Sequence, residues 1–567
     1  MRQPTWLVAA VVALACGSQT PTSNDDGGAA GPPPWLQLTG DRLAPLPPQG
    51  IGSSTHFVTA DACTPCHTGG DPKVLRDAKG RDISPGTLWR ASMMAHAVRD
   101  PYYLATFSQE LAHRPAGTAA IESTCIPCHA PAAAYDLALE GTRLHFSDLV
   151  TGSDKPKELA RDGVNCSLCH QITSTGLGAF GSFDGKFSIG DQKLIYGPLP
   201  TPYTTPMQTF VGYTPTEGKH VLESSLCATC HTVITKALDA KGNAVGPDFV
   251  EQGAYLEWRA SDFTTEGGKG GPKATSCQSC HVPPRDEEGG IIDAILSRQP
   301  ATGLPSRSPL ARHLFVGGNS QMLRVLADNG AWTGSLATKE ALEAQAVRSD
   351  DTLRGGVSLT ISRTARVGGG VEVDVTVDNK TGHKFPTGYP SRRAWLHLRS
   401  TSGTSVVFES GRVDAYGRVV DAQGNAIDQR DHVRPHRDYV DSDAQAQIYE
   451  LVPGDSQGRV ARSLLDATQV LKDDRLLPSG FSKVLGALVL PVGTDGDANF
   501  GSSDRVTYRF AASGKVHVDV ELLFQSVRPS ELETLALEPT PAGRSFLDMI
   551  QKRATPVVLG SASSDLN

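Results

Sequence analysis

The five-residue pattern Cys63-Thr64-Pro65-Cys66-His67 returns four more times along the chain, and this repeat limits the fold more than any other property of the sequence. The copies are Cys125-Ile126-Pro127-Cys128-His129, Cys166-Ser167-Leu168-Cys169-His170, Cys227-Ala228-Thr229-Cys230-His231 and Cys277-Gln278-Ser279-Cys280-His281, and together they use ten of the eleven cysteines. C-x-x-C-H is the attachment signature of c-type haem. Two thiols three positions apart sit about one helical turn apart, so both can bond one edge of a single porphyrin. The histidine that follows is then held beneath the iron. A zinc site would need the pairs matched in twos or completed by spaced histidines. A disulfide framework gives no reason for a histidine after every second cysteine, and a redox dithiol gives none for five copies. The pattern therefore predicts five covalent haems, with the ten motif thiols as anchors and His67, His129, His170, His231 and His281 as proximal iron ligands.

The eleventh cysteine belongs to the N-terminus. Arg2 precedes an apolar run from Trp6 to Ala15 that ends Ala13-Leu14-Ala15-Cys16, the layout of an export signal over residues 1–15. The run is too short to span a bilayer as a helix. Ala13 and Ala15 suit ordinary cleavage, whereas Cys16 suits lipid attachment as in a bacterial lipoprotein. The second reading is preferred because an unpaired cysteine in an exported chain needs an explanation, although Ala13 stands where a larger aliphatic residue is usual. Either way the chain is expected outside the cytoplasm, in the periplasm or at an outer membrane through a lipid anchor. Residues 16–55, rich in Ser, Thr, Gly and Pro, read as a linker without a core, either a tether or plain disorder.

Aromatic residues make up only 6% of the chain, and 58 glycines with 38 prolines leave thin material for a conventional interior. Haem changes that balance, because an apolar plate tied to the backbone at two points serves as core and staple together. The expected architecture is mixed α+β. A loop-rich, mainly helical pentahaem domain covers 56–350, an antiparallel β-sandwich-like domain covers 351–530, and 531–567 form a C-terminal tail. The β reading rests on clean alternation in Val371–Val377 and Val516–Leu522, and on an apolar run, Val484–Leu490, that reads as a buried strand.

Eleven histidines lie outside the motifs, enough to give every iron a second imidazole. His96, in Leu88-Trp89-Arg90-Ala91-Ser92-Met93-Met94-Ala95-His96-Ala97, His220, His313 and His383 are the leading candidates. For the fifth iron His56, His113 and His145 compete, with His113 carried forward. His517 alternates with outward-facing acids, and His397, His432 and His436 stand in polar surroundings and read as surface residues. With only six methionines, bis-histidine ligation is the default, though one iron left five-coordinate stays open and would bind a small molecule. Arg392 and Arg393 could pair with haem propionates or form a solvated basic pair.

These residues make the chain resemble bacterial multihaem cytochromes of the c-552/c-554 type with a β-rich C-terminal extension. The resemblance rests on the five motifs, on the run from Leu88 to Tyr103, on Gly163-Val164-Asn165-Cys166, on Tyr255-Leu256-Glu257-Trp258, and on Gly382 to Trp395. It implies distal roles for His96, His220, His313 and His383. Three functions follow as expectations. The first is electron transfer along five haems between a redox protein or quinol-linked donor and an acceptor. The second is oxidation or reduction of a small nitrogen or sulfur compound at one open iron. The third is a docking module in which haem is structural. Pentahaem nitrite reductases usually carry lysine in place of one motif histidine, and all five motifs here end in histidine. The formal net charge of -8 gives no footing for nucleic-acid binding.

Overall fold

The structure, a computed structural model, describes residues 33–70, 74–268, 270–299, 303–494 and 496–567. The export signal, Cys16 and the first part of the expected linker lie outside them.

Up to residue 355 the chain is a succession of short helices and loops with a few two-stranded pieces. Each motif forms or ends a helix: Thr64–His67, Thr118–His129, Cys166–Cys169, Ser224–His231 and Cys277–His281. Local chemistry starts them where they start. Asn165 accepts a hydrogen bond from the Leu168 amide and Ser276 from the Ser279 amide, so two motif helices are capped by the residue just before the first cysteine. Gly163 has φ +66°, and a Cβ there would meet the Met94 carbonyl at 2.6 Å. Only glycine brings the third motif this close to the 88–97 segment.

The rest of the chain is mainly β. Strands Tyr439–Val440, Ser503–Ala511, Gly370–Asn379 and Val357–Val367 lie in that order in one sheet. Gln469–Asp473, Ile448–Gly454, Arg393–Ser402, Val516–Gln525 and Val557–Leu566 form a second, with Ser405–Ser410 paired to Arg393–Ser402. Pairing is antiparallel except between Tyr439–Val440 and Ser503–Ala511. The period-two pattern has the expected cause: Val371, Val373, Val375 and Val377 from one sheet and Val516, Val518, Val520 and Leu522 from the other are fully buried in one core. The architecture is thus mixed helix and sheet, with a β-rich region following the helical one.

Three expectations change. The Val484–Leu490 run is not a strand: it makes a single turn at Ala487–Val489, and Val484 is 86% exposed. Only Val489 goes inward, packing with Tyr255, Leu256 and Trp258, and this one tertiary contact overrides β propensity. The segment beyond 530 is no tail. It supplies helices Pro529–Leu537 and Pro541–Ile550 and a full strand, Val557–Leu566, paired along Val516–Gln525. Finally, the end of the linker has a core. Trp35 is buried with Tyr102, Met322, Phe546 and Ile550, the Leu43 amide donates to the Pro541 carbonyl, and Arg42 pairs with Asp548 at 2.7 Å. The segment at Trp35 and the helix Pro541–Ile550 therefore meet on the helix Pro101–His113.

Candidate functional site

All ten motif cysteines and all five motif histidines line one continuous, largely apolar cavity of about 1680 Å³. A pocket for an ordinary small ligand measures roughly 300–1,000 Å³. Four of the five motif imidazoles are aimed by backbone carbonyls. Nδ1 of His129 lies 2.7 Å from the Ala97 oxygen, that of His170 2.6 Å from Tyr196 O, that of His281 2.7 Å from Val316 O and that of His67 3.2 Å from Leu296 O. Holding Nδ1–H this way fixes the ring and leaves Nε2 free as a ligand. Burial keeps the rings neutral, the form that binds a metal: His129 and His231 are pushed down to about 4, and His67, His170 and His281 are lowered as well.

Two further histidines line the cavity, and each faces a motif histidine. The rings of His170 and His313 are 6.2 Å apart at 33°, and those of His281 and His383 are 6.4 Å apart at 22°. Two imidazoles sharing one metal, each nitrogen about 2 Å from it, have ring centres about 6 to 6.5 Å apart. The structure therefore brings His313 opposite the third motif and His383 opposite the fifth. His383 is delivered by the loop leaving the strand Gly370–Asn379, with Nδ1 on the Lys384 carbonyl. The residues around it are locked. Glu257 is fully buried and receives the Lys384 amide, the Thr387 hydroxyl and, at 3.1 Å, the Arg475 guanidinium, while Lys384 pairs with Asp473.

The other expected distal ligands are placed elsewhere. His96 is buried, but its Nε2 lies 2.7 Å from Ser335 Oγ and its Nδ1 on the Ser92 carbonyl. His220 directs Nε2 to the Ile172 carbonyl. His113 is half-exposed beside Glu538, His145 is held by Glu122 and His56 by Asp136. None of the five lines the cavity. Apolar neighbours signal that a histidine is buried, not which way it faces, and the 88–97 segment contributes instead through Met93, Met94 and the Ala97 carbonyl. Arg392 lines the cavity, held by the Thr387 carbonyl and Asn319, whereas Arg393 points away and pairs with Asp428 at 2.6 Å. The pairing of both with propionates is thus reduced to Arg392.

Neighbouring thiols order the motifs in space. Cys63 lies beside Cys166, Cys230 beside Cys128 and Cys277 beside Cys227, and in each pair the first thiol is lowered and the second raised by the other. Cys169, raised to about 12 by burial, also feels Cys230. The first motif thus abuts the third, the third the fourth, and the fourth both the second and the fifth. Sequence spacing carries no sign of this branching.

A c-type haem fits these residues. Thiol pairs and a neutral imidazole converge five times on one apolar cavity, and the Tyr103 hydroxyl, buried in its wall, has no hydrogen-bond partner.

Short helices projecting five C-x-x-C-H segments into a shared cavity, backed by a β-rich region, define a multihaem-cytochrome-like fold. A solved structure with this fold is the penta-heme cytochrome c552 from Thermochromatium tepidum, 16% identical, covering 91% of this chain and 100% of its own, with a TM-score of 0.51. No family model and no curated protein sequence matches the chain.

Proposed function

We propose that the chain is an extracytoplasmic multihaem c-type cytochrome that binds five haems and passes electrons among them. The observation that carries this reading is the convergence of all ten motif thiols and five neutral imidazoles on one cavity. A haem bound there supplies a one-electron carrier whose potential is set by its axial ligands and its burial. The chain's own residues fasten it by two thiols, aim one imidazole through a backbone carbonyl, and exclude water with apolar walls. Redox proteins or a quinol-linked donor and acceptor are the partners that fit, and Cys16 is the proposed lipid anchor, placing the chain in the periplasm or at the outer membrane. Mass spectrometry and a pyridine haemochrome assay of protein matured in an exporting bacterium are expected to count five haems per chain. A colourless product with the mass of the bare polypeptide would sink the proposal.

A second reading, oxidoreduction of a small nitrogen or sulfur compound, is favoured by one observation. Beyond the motifs, only His313 and His383 among the described residues bring imidazoles into the cavity, so the sites of His67, His129 and His231 have no histidine opposite. Near the second motif, burial raises Glu110 to about 7 and Glu251 to about 8, which keeps protons available beside Cys125. Carbon monoxide binding to the reduced protein separates the readings: uptake favours chemistry at an open iron, and none favours pure electron transfer.

A further inference from the structure

A second convergence of ligand-type side chains lies in the β-rich region, outside the cavity. His436, expected on the surface, has a side chain only 4% exposed. Its Nε2 lies 3.1 Å from Asp497 Oδ2, 3.7 Å from Asp504 Oδ1 and 3.9 Å from Asp438 Oδ1. One ligand atom from each of the four residues falls within 4.8 Å of all the others. Ligand atoms sharing one ion at about 2.1 to 2.4 Å lie about 3 to 4.7 Å apart. These acids come from the loop before Tyr439–Val440, from the loop leading to Ser503–Ala511 and from that strand itself.

Two details distinguish this from an ordinary acidic patch. Asp504 is fully buried, and although its Oδ2 accepts the Tyr449 hydroxyl at 2.6 Å, its Oδ1, aimed at the cluster, has no hydrogen-bond partner. A buried carboxylate oxygen without a partner carries its whole desolvation cost unless a cation meets it. On the far side of the ring, Nδ1 faces the fully buried Asp474 at 3.2 Å, and Asp474 is itself held by Gln447 at 2.9 Å. Carboxylate behind the imidazole with Nε2 in front is how metal-binding histidines are oriented. No lysine or arginine pairs with Asp438, Asp497 or Asp504 among the described residues, so an imidazolium would balance only one of three charges.

We propose that His436 Nε2 and the carboxylates of Asp438, Asp497 and Asp504 hold one divalent cation of the manganese or zinc type, fastening the loop around His436 to the four-stranded sheet. One imidazole with three carboxylates suits a first-row dication, whereas calcium takes six to eight oxygens. Asp438, half-exposed, leaves the ion a side open to water.

The test uses the full chain, stripped with chelator and titrated with Mn²⁺ while the free-ion EPR signal is followed. Manganese has little taste for thiolates, so the motif cysteines do not contribute whether or not they carry haem, and the outcome is independent of the function proposed above. One equivalent is expected to bind per chain, with a rise in melting temperature. Binding should weaken at least tenfold in the double variant Asp438→Asn/Asp497→Asn, which removes two of the three carboxylate charges, and stay unchanged in Asp441→Asn. Absence of stoichiometric binding, or equal binding by the double variant and the wild type, overturns the proposal.

Discussion

A ring centre 6.4 Å from another is a small observation with a definite spectroscopic consequence. His383 faces His281 at that separation, so His383→Ala is expected to convert one iron of the haem-loaded protein from low-spin to high-spin and to open it to carbon monoxide. His113→Ala, at a half-exposed residue beside Glu538, is expected to leave the spectrum unchanged. Visible absorption and EPR of the two variants check this; a silent His383→Ala would remove the pairing. The motif histidines were legible from sequence because everything that places them is contiguous. His313 and His383 were legible only as candidates, since the partner motif comes from far along the chain. His96 looked equally good, yet here its Nε2 is directed to the Ser335 hydroxyl. His436 was misread for the same reason, as its carboxylates arrive on a later loop and strand.

At the level of elements, the least legible part was the seam joining the two regions. Trp35 lies in a stretch whose proline content reads as linker, yet it is 2% exposed against helices Pro101–His113 and Pro541–Ile550. Removing a buried tryptophan side chain costs about 3 to 5 kcal/mol. Trp35→Ala is therefore expected to lower the melting temperature while leaving the haem count intact, measured by calorimetry and absorbance on one sample. A loss of haem instead would mean that the seam shapes the cavity. Composition misled here because a single aromatic residue, not an apolar run, anchors the segment. The alternating strands, by contrast, were plain in the sequence, since period two is a property of neighbours. The apolar run at Val484–Leu490 shows the limit of that signal: buried strand and loop plug look alike until the plug's partner, Trp258, is in place.

Across the whole molecule, the thiol contacts make the fourth motif a junction. Cys227 and Cys230 meet cysteines of the fifth and second motifs, and Cys169 of the third lies near Cys230. Under the function proposed, replacing Cys227 and Cys230 by serine is expected to lower the mass by one haem and to turn single-phase reduction by a limiting donor into two phases, because the first and third sites lose their route to the fifth. Stopped-flow absorbance reads this directly, and unchanged kinetics would argue for a route the thiols do not trace. The mixed helix-and-sheet class could be read from the sequence, whereas the branching is a property of closure.

The meeting of Trp35 and the helix Pro541–Ile550 on one helix also sets an order of events. Synthesis delivers Trp35 and Leu43 well before the helix Pro541–Ile550 that they pack on, so the strap waits for partners that do not yet exist. Under the function proposed, the thiols stay reachable until Phe524, Ser526 and Val527, the late part of the cavity wall, arrive, and their docking becomes the step that shuts the door.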